Sequence, residues 1–94
     1  MDTKLKNETA ILAFLEEYAR IKPVNFKNAT NQVVVDREHG HYQLVRLGWQ
    51  EGRYIYNTVF HFDLVGDKVW VQQNRTDLSI ADELEQYGIN AADV

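Results

Sequence analysis

The middle of the sequence is divided by three short links into four runs of β-branched and aromatic residues. Gly40, Gly52 and Gly66 stand in these links, and glycine is favoured in tight turns because it tolerates positive φ. Strands joined by so short a link pair antiparallel, since a parallel pair needs a long crossover. The sequence therefore predicts a four-stranded antiparallel meander over residues 32–74. Its runs are QVVVDRE (32–38), HYQLVRLGW (41–49), RYIYNTVFHFDLV (53–65) and KVWVQQN (68–74).

The third run, residues 53–65, is about twice as long as a typical strand of about five or six residues. A strand of this length is expected to bend, to carry a β-bulge, or to extend beyond its own sheet. In the last case the extension offers contact surface to a second chain.

The segment before the meander has helical periodicity and predicts a helix within residues 1–22. Its apolar side chains recur near a spacing of 3.6 and form a broad stripe. Lys22-Pro23 is expected to end this helix, because the residue before a proline is pushed out of the helical region. The stripe consists of Leu5, Ile11, Leu12, Phe14, Leu15, Tyr18 and Ala19.

A second helix is predicted over residues 77–88. Ser79 and Asp82 have the spacing of a capping box, and Gly88 is well placed to end the helix. Helices on both sides of the meander give the order α-β-β-β-β-α in a single domain, residues 1–94. Such an order is typical of a two-layer α+β domain whose helices cover one face of the sheet. The apolar face of the second helix consists of Ile80, Ala81, Leu84 and Tyr87.

The composition is that of one small folded domain. The chain has 94 residues, and 45% of them are hydrophobic, which argues against disorder. It has no cysteine, which excludes disulfides, thiolate zinc ligands and a cysteine nucleophile and fits a reducing compartment. Neither a signal peptide nor an apolar run near the ~20 residues that span a bilayer is present. We expect a soluble, cytoplasmic protein without a cofactor, and small domains of this kind often dimerise.

The distribution of charge disfavours direct binding of nucleic acid. The net charge is −4, and residues 76–94 carry five acidic side chains without a lysine or arginine. Proteins that grip DNA concentrate positive charge to displace counterions from phosphates, and no such cluster occurs in this sequence. A protein that binds DNA directly therefore stays an alternative interpretation only.

Four blocks of the sequence together resemble the XisI family, the fdxN-element excision controlling factors of cyanobacteria. The resemblance covers roughly residues 10–94. The blocks are LEEYA (15–19) followed by Pro23, HYQLVRLGW (41–49), FHFDLVGDKVWVQQNRT (60–76) and IADELEQYGI (80–89).

The resemblance implies an XisI-like α+β protein that acts by protein–protein association with a nuclease-like partner, XisH. It connects the pair with the controlled excision of a DNA element by a site-specific recombinase. It implies neither a catalytic mechanism nor active-site residues for this chain. Family members usually have a Pro-Lys after the last helix and continue past the position of Val94 with an apolar stretch. A sequence that stops at Val94 is thus expected to expose an apolar patch, or to be a shortened protein.

His61 and Asp63 are the residues that most favour a chemical role. They lie two positions apart on the third strand, so their side chains point to the same face and can share a proton or a metal ion. His39 and His41 also share a face if the chain is extended through Gly40. A metal site requires these segments to meet in register. His61 and Asp63 thus have two interpretations. They belong to an ordinary polar sheet face and hydrogen-bond to neighbouring strands, or they act as metal ligands in a metal-dependent nuclease subunit.

Other catalytic patterns are weak. Ser79 is placed to cap a helix, and carboxylates such as Asp63 and Asp67 at strand ends are common turn residues. No glycine-rich phosphate loop, HExxH or GxSxG motif occurs. We therefore predict a non-enzymatic protein, with no catalytic residues and no resident metal.

Aromatic residues on neighbouring strands favour an interaction surface instead. If Val69 and Val71 face the helices, Trp70 and Gln72 face away from them; the alternative is that Trp70 lies in the core. Trp and Tyr combine a large apolar area with a polar group and are enriched at interfaces. We predict a dimer or partner interface on the uncovered face. Its residues are Trp49, Tyr54, Tyr56, His61, Trp70 and Gln72.

Overall fold

The computed structural model describes residues 3–20 and 29–94, which form one antiparallel sheet with helices packed on one face. The strands lie in the sheet in chain order, so the predicted meander and the α+β class are confirmed. The elements are α1 (Thr3–Ala19), β1 (Ala29–Asp36), β2 (His41–Gln50), β3 (Arg53–Val65), β4 (Lys68–Asn74), α2 (Ile80–Glu85) and a 3₁₀ turn (Ala91–Asp93).

Element boundaries differ from the prediction by a few residues. β1 is Ala29–Asp36 rather than 32–38, β2 ends at Gln50 rather than at residue 49, and α2 is shorter than the expected 77–88. The predicted helix stop at Lys22-Pro23 lies outside the described residues. None of the described helices is long and apolar enough to cross a membrane.

The core lies between the helices and one face of the sheet, and Phe60 stands at its centre. The Phe60 ring centroid lies 5.3 Å from that of Phe14 and 4.9 Å from that of Tyr18, both on α1 and both edge to face. Such pairs add stabilisation to the burial of apolar area. The buried core residues are Ala10, Ile11, Phe14, Leu15, Tyr42, Leu44, Val59, Phe60, Phe62, Leu64, Val69, Ile80, Leu84 and Ile89.

β3 carries a bulge opposite β2. Leu44 pairs with Phe60. The next residue of β2, Val45, pairs with Thr58, so Val59 has no partner of its own on β2. Val59 and Phe60 are both buried in the core. Strict alternation along β3 would place Val59 and Phe60 on opposite faces, and both are buried because the extra residue of the bulge interrupts the alternation.

The buried face of α1 includes polar residues that the apolar stripe does not predict. Leu5 is 48% exposed, whereas Asn7 and Glu8 are buried. Asn7 donates from Nδ2 to the backbone oxygen of Asp67 at 2.8 Å, which satisfies its buried amide. The prediction that Leu5 belongs to the buried stripe is therefore wrong. Asn7 and Glu8 occupy the buried face at this end of α1, and their hydrogen bonds make the burial of these polar side chains favourable.

Glu8 connects α1 to the β1–β2 hairpin through two hydrogen-bonded side chains. Tyr42 Oη donates to Glu8 Oε2 at 2.5 Å, and Arg37 Nη2 donates to Oε1 at 2.6 Å. Tyr42 is fully buried, and its burial together with the hydrogen bond to Glu8 raises the pKa of its hydroxyl. A buried hydroxyl requires a partner, so Glu8 matters for stability more than its surface neighbours on α1.

Replacing Glu8 with alanine is expected to lower the free energy of unfolding by about 1–3 kcal/mol, since the Tyr42 hydroxyl loses its acceptor inside the core. Adding Tyr42→Phe to this variant should recover part of the loss, because no buried hydroxyl is then left unsatisfied. Urea denaturation followed by circular dichroism measures both. Glu16→Ala, an exposed change on the same helix, is the control and is expected to have little effect. Equal losses for Glu8→Ala and Glu16→Ala would contradict this role.

α2 ends in a Schellman motif at Gly88, as its position predicts. Gly88 has φ 99°, its N–H donates to the Glu85 oxygen, and the Ile89 N–H donates to the Leu84 oxygen at 3.1 Å. Ser79 does stand at the N-cap, but its side chain makes no capping hydrogen bond. The predicted capping box is thus absent from α2.

A candidate interaction face with a histidine–aspartate cluster

The side of the sheet opposite the helices, which we call the open face, carries exposed aromatic residues. Trp49 is 62%, Tyr56 66% and Trp70 57% exposed, and Tyr54 is exposed as well. Val69, next to Trp70, is buried, so the two point to opposite sides of β4. The alternative that Trp70 packs in the core is therefore wrong. Neither of the two helices that the structure describes covers this face.

The six predicted interface residues fall into two groups on the open face. Trp49 pairs with Tyr54 across β2 and β3, with ring centroids 5.3 Å apart, and Tyr56 lies two residues further along β3. His61, Trp70 and Gln72 surround Asp63 instead. On β2, His41 lies beside the group around Asp63 and Trp49 belongs to the other group. These two residues are eight positions apart along the strand, so the two groups are separated by a distance on the order of 25 Å. The sequence alone predicted one surface, whereas the register separates it into two.

Asp63 lies at the centre of a cluster with two histidines. His41 Nδ1 lies 2.7 Å from Asp63 Oδ1, and His61 Nε2 lies 2.8 Å from the same oxygen. One ring nitrogen from each histidine and one carboxylate oxygen lie within 4.8 Å of one another. The sequence indicated that His61 and Asp63 share a face, and the structure adds His41 to them.

Strand register brings this cluster together. His41 is the partner of Asp63 in the β2–β3 ladder, and Trp70 is the partner of Asp63 in the β3–β4 ladder. Residues opposite one another in neighbouring antiparallel strands lie on the same face. The turn lengths fix this register, so residues far apart in sequence meet on the open face.

A second bulge, on β4, places Gln72 beside the cluster. His61 pairs with Gln73 and Phe62 pairs with Val71, so Gln72 is the extra residue. Its Nε2 donates to the second oxygen of Asp63 at 3.2 Å. Bulges often redirect a side chain at a functional site. Because a bulge depends on the register of two strands, the sequence could not reveal this contact.

The turn before His41 is held against β3 at Gly40. The Leu64 N–H donates to the Gly40 oxygen at 2.8 Å. Gly40 has φ +72°, and a Cβ built on it would lie 2.6 Å from the Leu64 oxygen. Glycine is therefore required by both the backbone conformation and the close approach. This contact fixes the start of β2 next to Asp63.

His39 lies in the same turn but has another partner. Its Nδ1 lies 2.8 Å from Asp36 Oδ2, and that hydrogen bond lowers the pKa of Asp36. The His39 and His41 rings are stacked with centroids 6.4 Å apart. The structure thus brings the two histidines close, as their spacing indicated, yet only His41 contacts Asp63.

The two histidines stabilise the charged form of Asp63. Partial burial acts to raise the pKa of its carboxyl, but the hydrogen bonds from His41 and His61 outweigh burial and lower it overall. Asp63 is therefore an ionised acceptor shared by two imidazoles. Such a group can hold the three side chains together, share a proton or coordinate a cation.

An apolar groove runs along β4 and extends the open face to the sheet edge. Its volume is about 500 Å³. Lys68 Nζ lies 2.6 Å from Asp93 Oδ1 at its border, and this contact raises the pKa of Lys68. Sequence reasoning missed the groove, although two valines flanking an exposed tryptophan on the last strand are a signal for it. The groove is lined by Lys68, Val69, Trp70, Val71, Asp93 and Val94.

Comparison with known proteins identifies the family. The sequence model described as "XisI protein" matches residues 1–94, the whole chain. The chain belongs to the XisI family. A search of curated proteins gives no match.

Two solved structures of proteins from Anabaena variabilis share this fold, and the first of them also supports the family. An XisI-like protein from Anabaena variabilis is 37% identical to this XisI-family chain, with a TM-score of 0.70; the match covers 87% of this chain and 76% of the other. The fdxN element excision controlling factor XisI from Anabaena variabilis is 18% identical, with a TM-score of 0.73 over 94% of this chain and 79% of the other. The second likeness concerns the fold alone.

Proposed function

We propose that this XisI-family protein is a non-enzymatic accessory protein in the control of DNA-element excision. It acts in the cytoplasm by protein–protein association, as a homodimer and with an XisH-like partner. Membership of a family with a relative named as an excision controlling factor supports the biological context. The observation that carries the mode of action is the open face, whose aromatic residues no described helix covers.

The exposure of these aromatic residues has a cost that association removes. Trp49, Tyr56 and Trp70 each expose more than half of their surface to water. Burial of apolar area stabilises by about 25 cal/mol per Å², and large exposed apolar patches mark interaction sites. Tryptophan and tyrosine also dominate the binding energy of known interfaces. A partner seated on the open face would bury both groups of aromatic residues.

The edge strand β4 supports the same interpretation. It pairs with β3 only from Phe60 to Val65, and its other side is an edge of the sheet. An edge strand presents backbone donors and acceptors to a further chain. The groove along β4 offers apolar side chains next to those groups. Association through the open face and this edge is therefore the arrangement we favour.

A metal-dependent nuclease subunit is the second candidate, and the cluster of His61 with Asp63 is the observation in its favour. Nucleases that use metal ions bind them mainly through carboxylates, because Mg²⁺ prefers oxygen ligands. Asp63 is the one carboxylate in the cluster of His41, His61 and Asp63. Because this cluster offers one carboxylate where such nucleases use several, we prefer the accessory role to the nuclease role. Divalent-metal-dependent cleavage of DNA by the purified protein, lost in Asp63→Asn, would reverse the preference.

Replacing Trp70 with aspartate tests the proposed function. Placing a charge in the interface should weaken association at least about 30-fold, since a central tryptophan typically contributes 2 kcal/mol or more. Size-exclusion chromatography with light scattering measures the homodimer, and a pull-down with a co-expressed XisH-like protein measures the partner. Leu5→Asp is the matched control, because Leu5 is an exposed apolar residue on α1.

The variants separate the possible outcomes. A folded Trp70→Asp protein that associates like the wild type would overturn the role of the open face. Loss of association in Leu5→Asp alone would move the interface to the helical side. A wild-type monomer that captures the XisH-like protein would exclude the homodimer and keep the partner complex.

A further inference from the structure

We propose that His41, His61 and Asp63 form a binding site for one divalent transition-metal ion, with Zn²⁺ as the best match. The site lies on the open face, at the end of the sheet where β2 begins. The inference goes beyond the accessory role and does not depend on it, because it concerns the isolated protein.

The donor set carries the proposal. Two imidazole nitrogens and one carboxylate oxygen are ligands that zinc binds in proteins, and three protein ligands with an open position are typical of accessible zinc sites. The same set suits other late first-row metals, whereas Mg²⁺ and Ca²⁺ prefer oxygen-only shells. The nitrogen-rich cluster therefore selects a transition metal.

The distances require only a small rearrangement. The ligand atoms are 2.7 and 2.8 Å apart across the two His–Asp contacts. Tetrahedral zinc with ligands at about 2.0–2.1 Å separates neighbouring ligand atoms by roughly 3.3 Å. Each histidine nitrogen needs to move about half an ångström away from the Asp63 oxygen, and the two nitrogens, which lie within 4.8 Å of each other, need to reach the same spacing of roughly 3.3 Å. The exposed His41 has room to turn for this.

Protonation is no obstacle to metal binding. In the hydrogen-bonded arrangement, His41 Nδ1 and His61 Nε2 each donate a hydrogen bond to Asp63 Oδ1, because an ionised carboxylate only accepts. A neutral imidazole can instead carry its proton on the other ring nitrogen, which leaves these two nitrogens free to coordinate. Each proton then stays on its own imidazole, and the metal lies between the two nitrogens and the carboxylate oxygen.

The residues around the cluster support the ligands as metal sites require. Gln72 donates to Asp63 Oδ2, the oxygen that neither histidine contacts. Such hydrogen bonds orient a ligating carboxylate and typically contribute 10–100-fold in metal affinity. The backbone contact between Gly40 and Leu64 fixes His41 against β3. All three ligands stand on β2 or β3, and strands hold a site more precisely than loops do.

Metal titration of the purified protein tests the proposal. The protein is prepared without a polyhistidine tag, stripped with a chelator and titrated with ZnCl₂ by isothermal calorimetry, and metal content is measured after dialysis. We expect one Zn²⁺ per chain. His61→Ala and Asp63→Asn should each weaken binding at least about 100-fold, and Gln72→Ala about 10-fold. Co²⁺ in place of Zn²⁺ should give a visible absorption band that His61→Ala abolishes.

His39→Ala is the matched control, since the His39 ring stacks near His41 but its Nδ1 is hydrogen-bonded to Asp36, and His39 is not one of the three proposed ligands. It should bind Zn²⁺ like the wild type, and circular dichroism verifies that every variant is folded. If His61→Ala is unstable, His61→Gln provides the same test with a polar side chain of similar size. Absence of stoichiometric binding by the wild type, or equal binding by His61→Ala, would overturn the proposal and leave the cluster as a hydrogen-bonded one.

Discussion

Replacing Phe60 with alanine is expected to lower the free energy of unfolding by about 3–5 kcal/mol, enough to unfold much of so small a domain at physiological temperature. Phe60 is fully buried and contacts the rings of Phe14, Tyr18 and Phe62. The alanine variant loses the favourable free energy of transferring this ring out of water, and it leaves a cavity between α1 and β3. Thermal and urea denaturation followed by circular dichroism measure the loss.

Val65→Ala on the same strand is the control for Phe60→Ala. Val65 shares a face with Asp63, is 60% exposed and is not one of the proposed interface residues, so its replacement should change stability by no more than about 0.5 kcal/mol. Similar losses in the two variants would mean that the sheet does not divide into a covered and an open face. That result would count against both the fold described and the interface proposed on it.

Gly40→Ala is expected to have the second largest effect, a loss of about 3 kcal/mol in the free energy of unfolding. The left-handed conformation at φ +72° costs a residue with a Cβ about 1–2 kcal/mol. The new Cβ also meets the Leu64 oxygen at 2.6 Å, and overpacking of this kind typically adds about 1–3 kcal/mol. The turn must therefore move away from β3, which weakens the hydrogen bond from Leu64.

Gly52→Ala separates the two causes. Gly52 has a similar φ of +78°, but a Cβ added there meets nothing within 4 Å. Its loss should be limited to the conformational part, about 1–2 kcal/mol. Chemical denaturation gives the free energy of unfolding of both variants. The amount by which Gly40→Ala loses more than Gly52→Ala is the cost of the close contact with the Leu64 oxygen. Equal losses would show that this contact does not constrain the turn.

The sheet could be predicted from the sequence because its links are short and rich in glycine. The predicted runs 53–65 and 68–74 coincide with β3 and β4, and the run that begins at residue 41 coincides with the start of β2. Turn residues mark where strands end, and a two-residue link such as Gly66-Asp67 leaves one way to pair. Period-two alternation predicted that Trp70 and Val69 face opposite sides, and the burial of Val69 in the structure decides that Trp70 faces away from the core.

What could not be predicted depends on contacts between distant residues. The bulge at Val59 and the burial of Glu8 both arise from tertiary packing that no local pattern records. His41 joins His61 and Asp63 only because the register of β2 and β3 sets them side by side. The spacing within β3 predicted two of the three residues of the cluster, and the fold supplied the third.

The division of the open face into two groups has a consequence for stoichiometry. Trp49 with Tyr54 occupies one end, and His41 with Asp63 occupies the other, on a single sheet whose strands hold them at a set separation. In the association that we propose, this spacing lets the open face contact two chains at once, a second copy at one end and the XisH-like partner at the other. A complex of three chains is then an expected product of co-expression with that partner.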